Sequence, residues 1–385
     1  MRNTIITQWG KKTVLSTLIA AKAAGIPIPT AHSLKLMNIG FEGGVAQQGL
    51  SICPYKSGYP AASCISIDFE HLHDNSSHNN LNSRGTKATL ELADQFGIPL
   101  TWAICGEAAV KDREAYEQIL RSKVKQDIGV HTYSHLDLAD SRRTETDVLS
   151  DISKCIDLLD SSERPVSFIF PYNREDHFES LRRLGFVAYR SKERVFGYPQ
   201  KKDGLWCIPP VYYIDEVSGD FETAKRFIDF AIANGCVFHM WFHPRSIALD
   251  GDIEAYVATV LKPIFRYISE KRREGNLWVC TMRELANYCE ARENCTITSK
   301  KEDGRIRLDV KCVIRDPRFD HPPQVTIKIP ISEGGTIVRV DGETTLNTKV
   351  SASKQGLHLF LPLTFDEPVR HIEITPPSSI VSAAS

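Results

Sequence analysis

The chain has 385 residues, of which 42% are hydrophobic and 25% are charged, and its formal net charge at pH 7 is -1. This length suits one large domain with a smaller second one, and the composition is that of an ordinary globular protein. The lack of a basic excess argues against a nucleic-acid partner and against attachment to a membrane surface through basic residues.

The ten cysteines are scattered along the chain without a C-x-x-C pair, and several lie inside apolar, strand-like runs. This pattern favours reduced, buried thiols in a reducing compartment over a disulfide framework. No run reaches the roughly 18 to 20 uninterrupted apolar residues of a membrane helix, so no transmembrane segment is predicted. We expect a cytoplasmic protein, with the cell surface or secretion as the alternative.

In chain order, residues 1–61 carry a predicted N-terminal helix and then an irregular lead rich in glycine and proline, which we expect to pack on the main domain. Residues 62–293 alternate short apolar strands with amphipathic helical stretches. That alternation is typical of repeated βα units. About seven such units predict a (β/α) barrel, complete or incomplete, with an open doubly wound sheet as the alternative.

After residue 293 the pattern changes to short alternating runs, separated by breaks rich in glycine and proline. Residues 294–377 are therefore predicted to form a small antiparallel β domain, and a β-sandwich is the architecture that fits best. The tail, residues 378–385, is rich in small residues and is expected to be loose.

Four places hold candidate chemistry, and each lies at the end of a predicted strand, where α/β folds gather their sites. At the first, strand alternation puts Asp68 and Glu70 on one side, so both carboxylates can face one cavity. At the second, His131 and His135 are four residues apart; on a helical turn both imidazoles could reach one ion. Two imidazoles and one carboxylate make a three-ligand metal site that leaves positions open for water and substrate.

The third place is a strand that breaks at Pro171 into a polar, aromatic loop, whose backbone N–H groups could serve an oxyanion. The fourth is the strand that ends at His243, in which His239 and Trp241 share one face. A histidine at such a position could protonate a leaving amine or alkoxide near neutral pH. Taken singly, each of the four motifs is also compatible with an ordinary structural role.

The order and spacing of the four motifs resemble those of the polysaccharide deacetylase family, also known as NodB homology or carbohydrate esterase family 4. The resemblance covers residues 62–292 and does not extend to the lead or to the β domain. It implies a distorted (β/α) barrel that holds a divalent metal and removes N- or O-linked acetyl groups from a carbohydrate. Zinc is the default metal for two imidazoles and one carboxylate, with Co²⁺, Mn²⁺ and Ni²⁺ as alternatives.

The resemblance also implies roles for the residues of the first two motifs. His131 and His135 match the two metal-binding histidines of the family, and Asp68 matches its general base. The family's adjacent pair of aspartates is absent, because Asp68 is followed by phenylalanine and the second acid has moved to Glu70. Glu70 is therefore the expected third metal ligand, with His71 as a substitute.

For the later motifs, the resemblance implies that the backbone N–H of Tyr172 binds the oxyanion and that His243 is the general acid. The aromatic residues around the site are expected to wall the pocket and to stack on a sugar ring, although they could also be core residues. The predicted substrate-binding residues are Trp206, Trp241, Asn173 and Arg174.

Two supporting residues of the family pattern are missing. Ile169 stands where the third motif has an arginine, and the family's tryptophan motif, which corresponds here to the segment around Trp206, lacks its aspartate. Arg174 is a candidate for the missing charge beside the base, and Asp215 is a candidate to orient His243. Because such partners can change activity roughly 10- to 100-fold, two alternatives stay open. One is a metal-independent allantoinase-like or cyclic imide hydrolase; the other is a degenerate glycan-binding protein. Homo-oligomer formation is also left open.

Overall fold

The computed structural model of the protein describes residues 50–70, 79–159, 163–215, 220–248, 252–302, 304–331, 336–345, 348–353 and 356–376. The predicted N-terminal helix, His71 and the tail 378–385 lie outside these ranges. The described residues form two compact units, the first made of residues 60–286 and the second of residues 50–59 with residues 287–376.

The first described strand, β1 (Ser51–Ile52), belongs to the second unit. The first unit is organised around one curled sheet of short, mostly buried strands: β2 (Ala61–Phe69), β3 (Thr101–Ile104), β4 (Asp127–Val130), β5 (Ser167–Ile169), β6 (Ala188–Arg190), β7 (Gln200–Lys202), β8 (Leu205–Ile208), β9 (Tyr212–Tyr213), β10 (Val237–Phe242) and β11 (Leu277–Val279). Its strand order is β7-β8-β6-β5-β4-β3-β2-β10-β9, and β11 pairs with the start of β2. All pairs are parallel except β7 with β8. The predicted distorted (β/α) barrel is thus confirmed, as a curled sheet with helices.

Helices connect these strands, as the alternating pattern predicted: α1 (Asn79–Phe96), α2 (Gly106–Lys111), α3 (Arg113–Leu120), α4 (Glu145–Leu158), α5 (Phe178–Arg183), α6 (Phe221–Asn234), α7 (Ile253–Tyr256), α8 (Lys262–Arg273) and α9 (Met282–Glu293). A π-helical turn, Val257–Leu261, links α7 to α8. No described helix is long and apolar enough to span a membrane.

Local sequence explains where the helices begin and end. At the start of α4, the Thr144 hydroxyl accepts the N–H of Asp147, and the Asp147 carboxylate accepts the N–H of Thr144. Such a cap stabilises a helix by about 1 kcal/mol. The helix α6 ends at Gly235, whose φ of 67° lies in the left-handed region that glycine adopts without strain.

The middle of the sheet is buried on both faces. Every residue of β2 and of β10 is buried, and β10 lies along one edge of β2 while β11 and β3 share the other. Along β10, Phe238, Met240 and Phe242 join the hydrophobic core, whereas His239 and Trp241 alternate with them and face the other side. The long apolar run of β2 therefore places its final acidic residues at the centre of the sheet edge.

The short strands β7, β8 and β9 were not predicted. Residues Gln200–Lys202 are exposed and polar and show no apolar alternation. They form a strand only because they pair with β8. The ten cysteines are free thiols, and all but Cys207 are buried, as expected for small apolar side chains.

The second unit contains the antiparallel sheets predicted after the barrel, built from β12 (Cys295–Glu302), β13 (Arg305–Cys312), β14 (Gln324–Ile331), β15 (Ile337–Val340), β16 (Glu343–Thr344), β17 (Lys349–Ser353), β18 (Gly356–Thr364) and β19 (Val369–Thr375). One sheet has the order β1-β14-β18-β17 and the other β12-β13-β19-β15-β16. Side chains of both sheets, such as Val310 and Ile327, belong to one hydrophobic cluster.

The described end of the predicted lead differs from the expectation. Residues 50–59 were expected to pack on the barrel, but β1 pairs antiparallel with β14 of the second unit. The reason is apolar burial, because Leu50 and Ile52 join the hydrophobic cluster shared by the two antiparallel sheets.

Candidate metal and catalytic centre

The candidate residues meet where parallel strands of the first unit end. Asp68 and Glu70 lie at the end of β2, and His131 follows β4 directly. Arg190 is the last residue of β6, and His243 follows β10. Because the carboxyl ends of parallel strands share one edge of a sheet, residues far apart in sequence come together there.

Glu70 and the two predicted metal histidines form a tight cluster. The Glu70 Oε2 atom lies 3.0 Å from His131 Nε2 and 2.6 Å from His135 Nε2. Over the described ranges, this is the only group of three histidine, cysteine or acidic side chains whose ligand atoms all lie within 4.8 Å. Two imidazole nitrogens and one carboxylate oxygen form a donor set of the kind that holds zinc in hydrolases.

The tautomer of His131 fits such a site. Its Nδ1 atom lies 2.9 Å from the carbonyl oxygen of Ile169, which can only accept, so Nδ1 carries a hydrogen. In the neutral ring the Nε2 lone pair then points at the Glu70 carboxylate. A lone pair facing a carboxylate oxygen at 3.0 Å is repulsive, so a proton or a metal ion is needed between them. Ile169 thus contributes its backbone at the place where the family has an arginine.

The loop that carries the two histidines is not the helical turn that their spacing suggested. Thr132 and His135 have φ values of 59° and 56°, in the left-handed region that non-glycine residues seldom adopt. Asp151 of α4 holds this shape by accepting hydrogen bonds from Tyr133 N at 2.6 Å and from Ser134 Oγ at 2.5 Å. The convergence of the imidazoles therefore depends on a residue outside the motif.

The start of α2 supports the same loop from the opposite side. The backbone N–H groups of Gly106 and Glu107 donate to the carbonyl oxygens of Thr132 and Tyr133, at 3.0 and 2.8 Å. A Cβ atom on Gly106 would lie 2.4 Å from the Tyr133 ring, so only glycine permits this approach.

Asp68, the predicted general base, is held by Arg190. The guanidinium of Arg190 donates to both carboxylate oxygens, at 2.6 and 2.7 Å, and the two side chains are 1% and 4% exposed. Burial acts to raise the pKa of Asp68, but the charge and hydrogen bonds of Arg190 outweigh it and hold that pKa below its usual value. Asp68 is therefore an oriented carboxylate.

The missing charge of the third motif thus comes from the neighbouring strand β6. The proposed substitute, Arg174, is wrong: its guanidinium pairs with Asp137 at 2.5 Å and is 55% exposed. Arg190 escaped the sequence reasoning, although one signal was present. It is an arginine at the end of an apolar strand, and a charged residue buried there requires a partner.

His239 lies below this ion pair. Its Nε2 atom is 2.9 Å from the hydroxyl of Ser66, which also accepts from Arg190 at 3.2 Å. Burial, together with the charge of Arg190, lowers the pKa of His239 to about 3. This histidine is therefore neutral and supports Arg190 through Ser66.

His243, the predicted general acid, is oriented by Asp215. The Nδ1 atom of His243 lies 2.6 Å from Asp215 Oδ2, while Nε2 lies 3.3 Å from Glu70 Oε1 and 3.9 Å from Asp68 Oδ2. Burial lowers the pKa of His243, but the hydrogen bonds to Asp215 and Glu70 raise it to about 9. The contact between Asp215 and His243 is the one suggested from the sequence.

Arg245 is a second arginine that the sequence reasoning missed. Its Nη2 atom donates to Glu70 Oε1 at 2.8 Å. Glu70 is therefore divided: Oε2 faces the two imidazoles, and Oε1 faces Arg245 and His243. Although burial opposes ionisation, the hydrogen bonds from the three histidines hold the pKa of Glu70 well below its usual value.

The predicted substrate residues fall into two groups. Tyr172 and Asn173 lie on the rim in left-handed conformations; Tyr172 is 52% exposed, and its ring centroid is 4.4 Å from that of His135. Asn173 Oδ1 is 3.4 Å from Arg190 Nη2. Trp206 is fully buried and Trp241 is 4% exposed, so neither presents a free ring face, in contrast to the prediction of two sugar-stacking tryptophans.

Fold and site together define a β/α domain with a His, His and Glu centre next to an oriented acid–base pair. A family model described as polysaccharide deacetylase matches residues 61–188, from β2 to β6. Residues 61–188 thus resemble the polysaccharide deacetylase family, in agreement with the resemblance drawn from the sequence motifs. At the level of the family, this match favours a hydrolase of the carbohydrate deacetylase type. Arg190, Asp215 and His243 lie beyond the matched segment.

Solved structures with a similar backbone include both deacetylases and a pseudoenzyme. A probable polysaccharide deacetylase from Pseudomonas aeruginosa PAO1 is 17% identical, with a TM-score of 0.48, and the alignment covers 64% of this chain and 95% of that one. A peptidoglycan deacetylase from Bacillus subtilis is 16% identical, with a TM-score of 0.39 and coverage of 61% and 92%. A CE4 family pseudoenzyme from Bacillus anthracis is 13% identical, with a TM-score of 0.37 and coverage of 60% and 66%. No curated protein has significant sequence similarity to this chain.

Proposed function

We propose that this protein is a metal-dependent deacetylase that removes N- or O-linked acetyl groups from a carbohydrate. The observation that carries the proposal is the cluster of Glu70 Oε2 with the Nε2 atoms of His131 and His135, beside Asp68 and His243. A metal site next to two oriented proton-transfer groups can catalyse the hydrolysis of an amide or an ester.

Glu70, His131 and His135 would hold the metal, and zinc suits this donor set best, with Co²⁺, Mn²⁺ and Ni²⁺ as alternatives. When bound, such an ion acts as a Lewis acid that polarises the acetyl carbonyl and lowers the pKa of water. The protein contributes the fixed ring of His131, whose Nδ1 is held by the Ile169 carbonyl, and the hydrogen bond from Arg245 that holds the outer oxygen of Glu70.

Two proton transfers fall to Asp68 and His243. Asp68, ionised and fixed by Arg190, takes the proton from the attacking water. His243, which Asp215 orients, donates the proton on its Nε2 atom to the departing nitrogen or oxygen. Since Asp68 Oδ2 and His243 Nε2 are 3.9 Å apart, both can reach the groups attached to one carbonyl carbon.

The rim supports a sugar substrate. The backbone N–H of Tyr172 is the proposed donor to the oxyanion, and the exposed ring of Tyr172 offers an apolar face to a pyranose. Asn173 and Arg174 follow it on the same loop and are the proposed hydrogen-bonding groups at the edge of the site.

Acetate release tests the proposal. The protein is stripped with a chelator, reloaded with Zn²⁺, Co²⁺, Mn²⁺ or Ni²⁺, and assayed on acetylated chitooligosaccharides and on O-acetylated xylan. We expect turnover only after reloading, with a loss of at least 10²-fold in kcat for Asp68→Asn, since general-base catalysis contributes about 10² to 10⁴. Full activity in the chelated protein, or unchanged turnover of Asp68→Asn, would refute the metal-dependent mechanism.

One observation favours a second candidate, a metal-independent amidohydrolase of the allantoinase or cyclic imide type. Glu70 is already neutralised by groups of the chain, with Arg245 on Oε1 and the imidazoles on Oε2. In this alternative a proton, and not a metal ion, lies between His131 and Glu70. Turnover of a cyclic imide by the chelated protein, with no gain on reloading, would favour it over the deacetylase.

A further inference from the structure

Arg190 and His243 are linked by a stack of aromatic rings. The guanidinium carbon of Arg190 lies 4.1 Å from the ring centroid of Trp241, and the Tyr213 ring lies 3.7 Å from the Trp241 ring at an interplanar angle of 7°. The hydroxyl of Tyr213 is 3.4 Å from Nδ1 of His243. The stack thus begins at the group that holds Asp68 and ends at the group proposed as general acid.

The indole of Trp241 lies between its two neighbours. Two planar groups cannot both approach one ring face at 3.7 and 4.1 Å, so Arg190 and Tyr213 occupy opposite faces. Trp241 is only 4% exposed. With both faces covered, Trp241 has no surface on which a sugar could stack, so a different role is needed for this tryptophan.

We propose that Trp241 is a positioning residue that aligns Asp68 and His243 with each other, acting through Arg190 on one side and Tyr213 on the other. The inference rests on the proposed deacetylase function and explains how that site keeps its two proton-transfer groups in register. The flat indole face fixes the plane of the guanidinium, and this plane sets the direction of the carboxylate that Arg190 grips through two hydrogen bonds.

The same indole limits the movement of Tyr213. Tyr213 lies on β9, which pairs with β10 at Trp241 itself, so the two rings are held in register by the backbone as well. Burial and the neighbouring Asp215 raise the pKa of Tyr213, so its hydroxyl stays protonated beside the pair formed by Asp215 and His243. Rotation or loss of the indole would therefore disturb both proton-transfer groups at once.

The test separates positioning from sugar binding by kinetics. Trp241→Leu replaces the indole by an apolar side chain without a flat face. We expect kcat of the metal-loaded enzyme to fall at least tenfold in this variant, while KM changes less than twofold. Trp241→Phe, which keeps a flat ring, should recover most of the lost kcat. A rise in KM with unchanged kcat would overturn the proposal and restore the sugar-stacking role.

A double-mutant cycle tests whether Trp241 acts through Arg190. In the Arg190→Met background the further effect of Trp241→Leu on kcat should be less than threefold, because only the route through Tyr213 remains. Full additivity of the two losses in kcat would contradict the proposed route. Trp102→Leu is the matched control, since Trp102 is also a fully buried tryptophan but lies on β3 and bonds to Gln126. Its kcat should stay within twofold of wild type.

The same four proteins of the double-mutant cycle are also compared by urea unfolding, a measurement that does not depend on the reaction. Wild-type protein that releases no acetate with any metal would show that the proposed function has failed, while the stack itself would still be tested. The shifts in unfolding midpoint for Trp241→Leu and Arg190→Met should sum to more than the shift of the double variant, since both remove the same contact. Additive shifts in the unfolding midpoint would show that Trp241 and Arg190 are not coupled, and would contradict the proposal.

Discussion

Replacement of Arg190 by methionine is the sharpest test of how the site is built. The change keeps an unbranched apolar side chain but removes two hydrogen bonds, of 2.6 and 2.7 Å, from the buried Asp68 carboxylate. Breaking a buried ion pair by removing one partner costs about 3–5 kcal/mol. We expect Arg190→Met to lose this much free energy of unfolding at pH 7, a change of roughly two to four orders of magnitude in the folding equilibrium.

The pH dependence of that loss has a definite sign. In the wild type the pKa of Asp68 is lowered, so its stabilising effect is present above the unfolded-state pKa, about 3.9, and is lost as pH falls through the lower folded-state value. In Arg190→Met, burial remains without the arginine, and the pKa of Asp68 should rise above 3.9. The deficit of the variant should therefore be largest at neutral pH and shrink as the solution becomes acidic.

Urea unfolding followed by tryptophan fluorescence provides the assay. Residues 41–59 and 287–385 contain no tryptophan, so the signal follows the first unit. Arg174→Met is the matched control, because its arginine is 55% exposed and its pair with Asp137 should contribute about 1 kcal/mol or less. A loss below about 1 kcal/mol in Arg190→Met, or a loss that does not change with pH, would refute the role given to Arg190.

Three further predictions concern the surroundings of the site. Asp215→Asn removes the main group that raises the pKa of His243 to about 9, so the alkaline fall of kcat should move to lower pH; an unchanged pH profile would exclude His243 as the acid. Asp151→Ala releases the histidine loop and should weaken Zn²⁺ binding about 10- to 100-fold in chelator competition, and an unchanged Kd would show that the loop holds its shape alone. Gly85→Ala would place a Cβ atom 1.8 Å from a backbone oxygen of the loop after β10, and should cost about 1–3 kcal/mol and lower kcat, whereas Gly197→Ala, with open space around it, should cost neither.

Features that depend on neighbouring residues were predicted well. Strand alternation placed Asp68 and Glu70 on one side of β2, and the alternating pattern of residues 62–293 predicted the helices that connect the strands. The meeting of separate motifs also followed from sequence, because parallel strands end at one edge of a sheet. The convergence of His131 and His135 was predicted as well, but for a wrong local reason, since the loop is left-handed at Thr132 and His135 and not helical.

The partners of these residues could not be predicted in the same way. Arg190 and Asp68 are 122 residues apart, and Arg245 and Glu70 are 175 residues apart. No periodicity relates such pairs, and the family pattern pointed to a different position for the arginine. The two tryptophans show the same limit, because aromatic residues near a motif can face a ligand or the core, and only packing decides which.

The sequence by itself predicted the class of fold, the resemblance to the polysaccharide deacetylase family and most of the residues that meet at the candidate site, because apolar periodicity and motif spacing are local properties of a chain. Only the tertiary structure decided which arginines support them: Arg190 on Asp68 and Arg245 on Glu70. The physical reason is that a buried charge must find a partner in space, and the partner's place in the sequence is set by strand order and not by its distance along the chain.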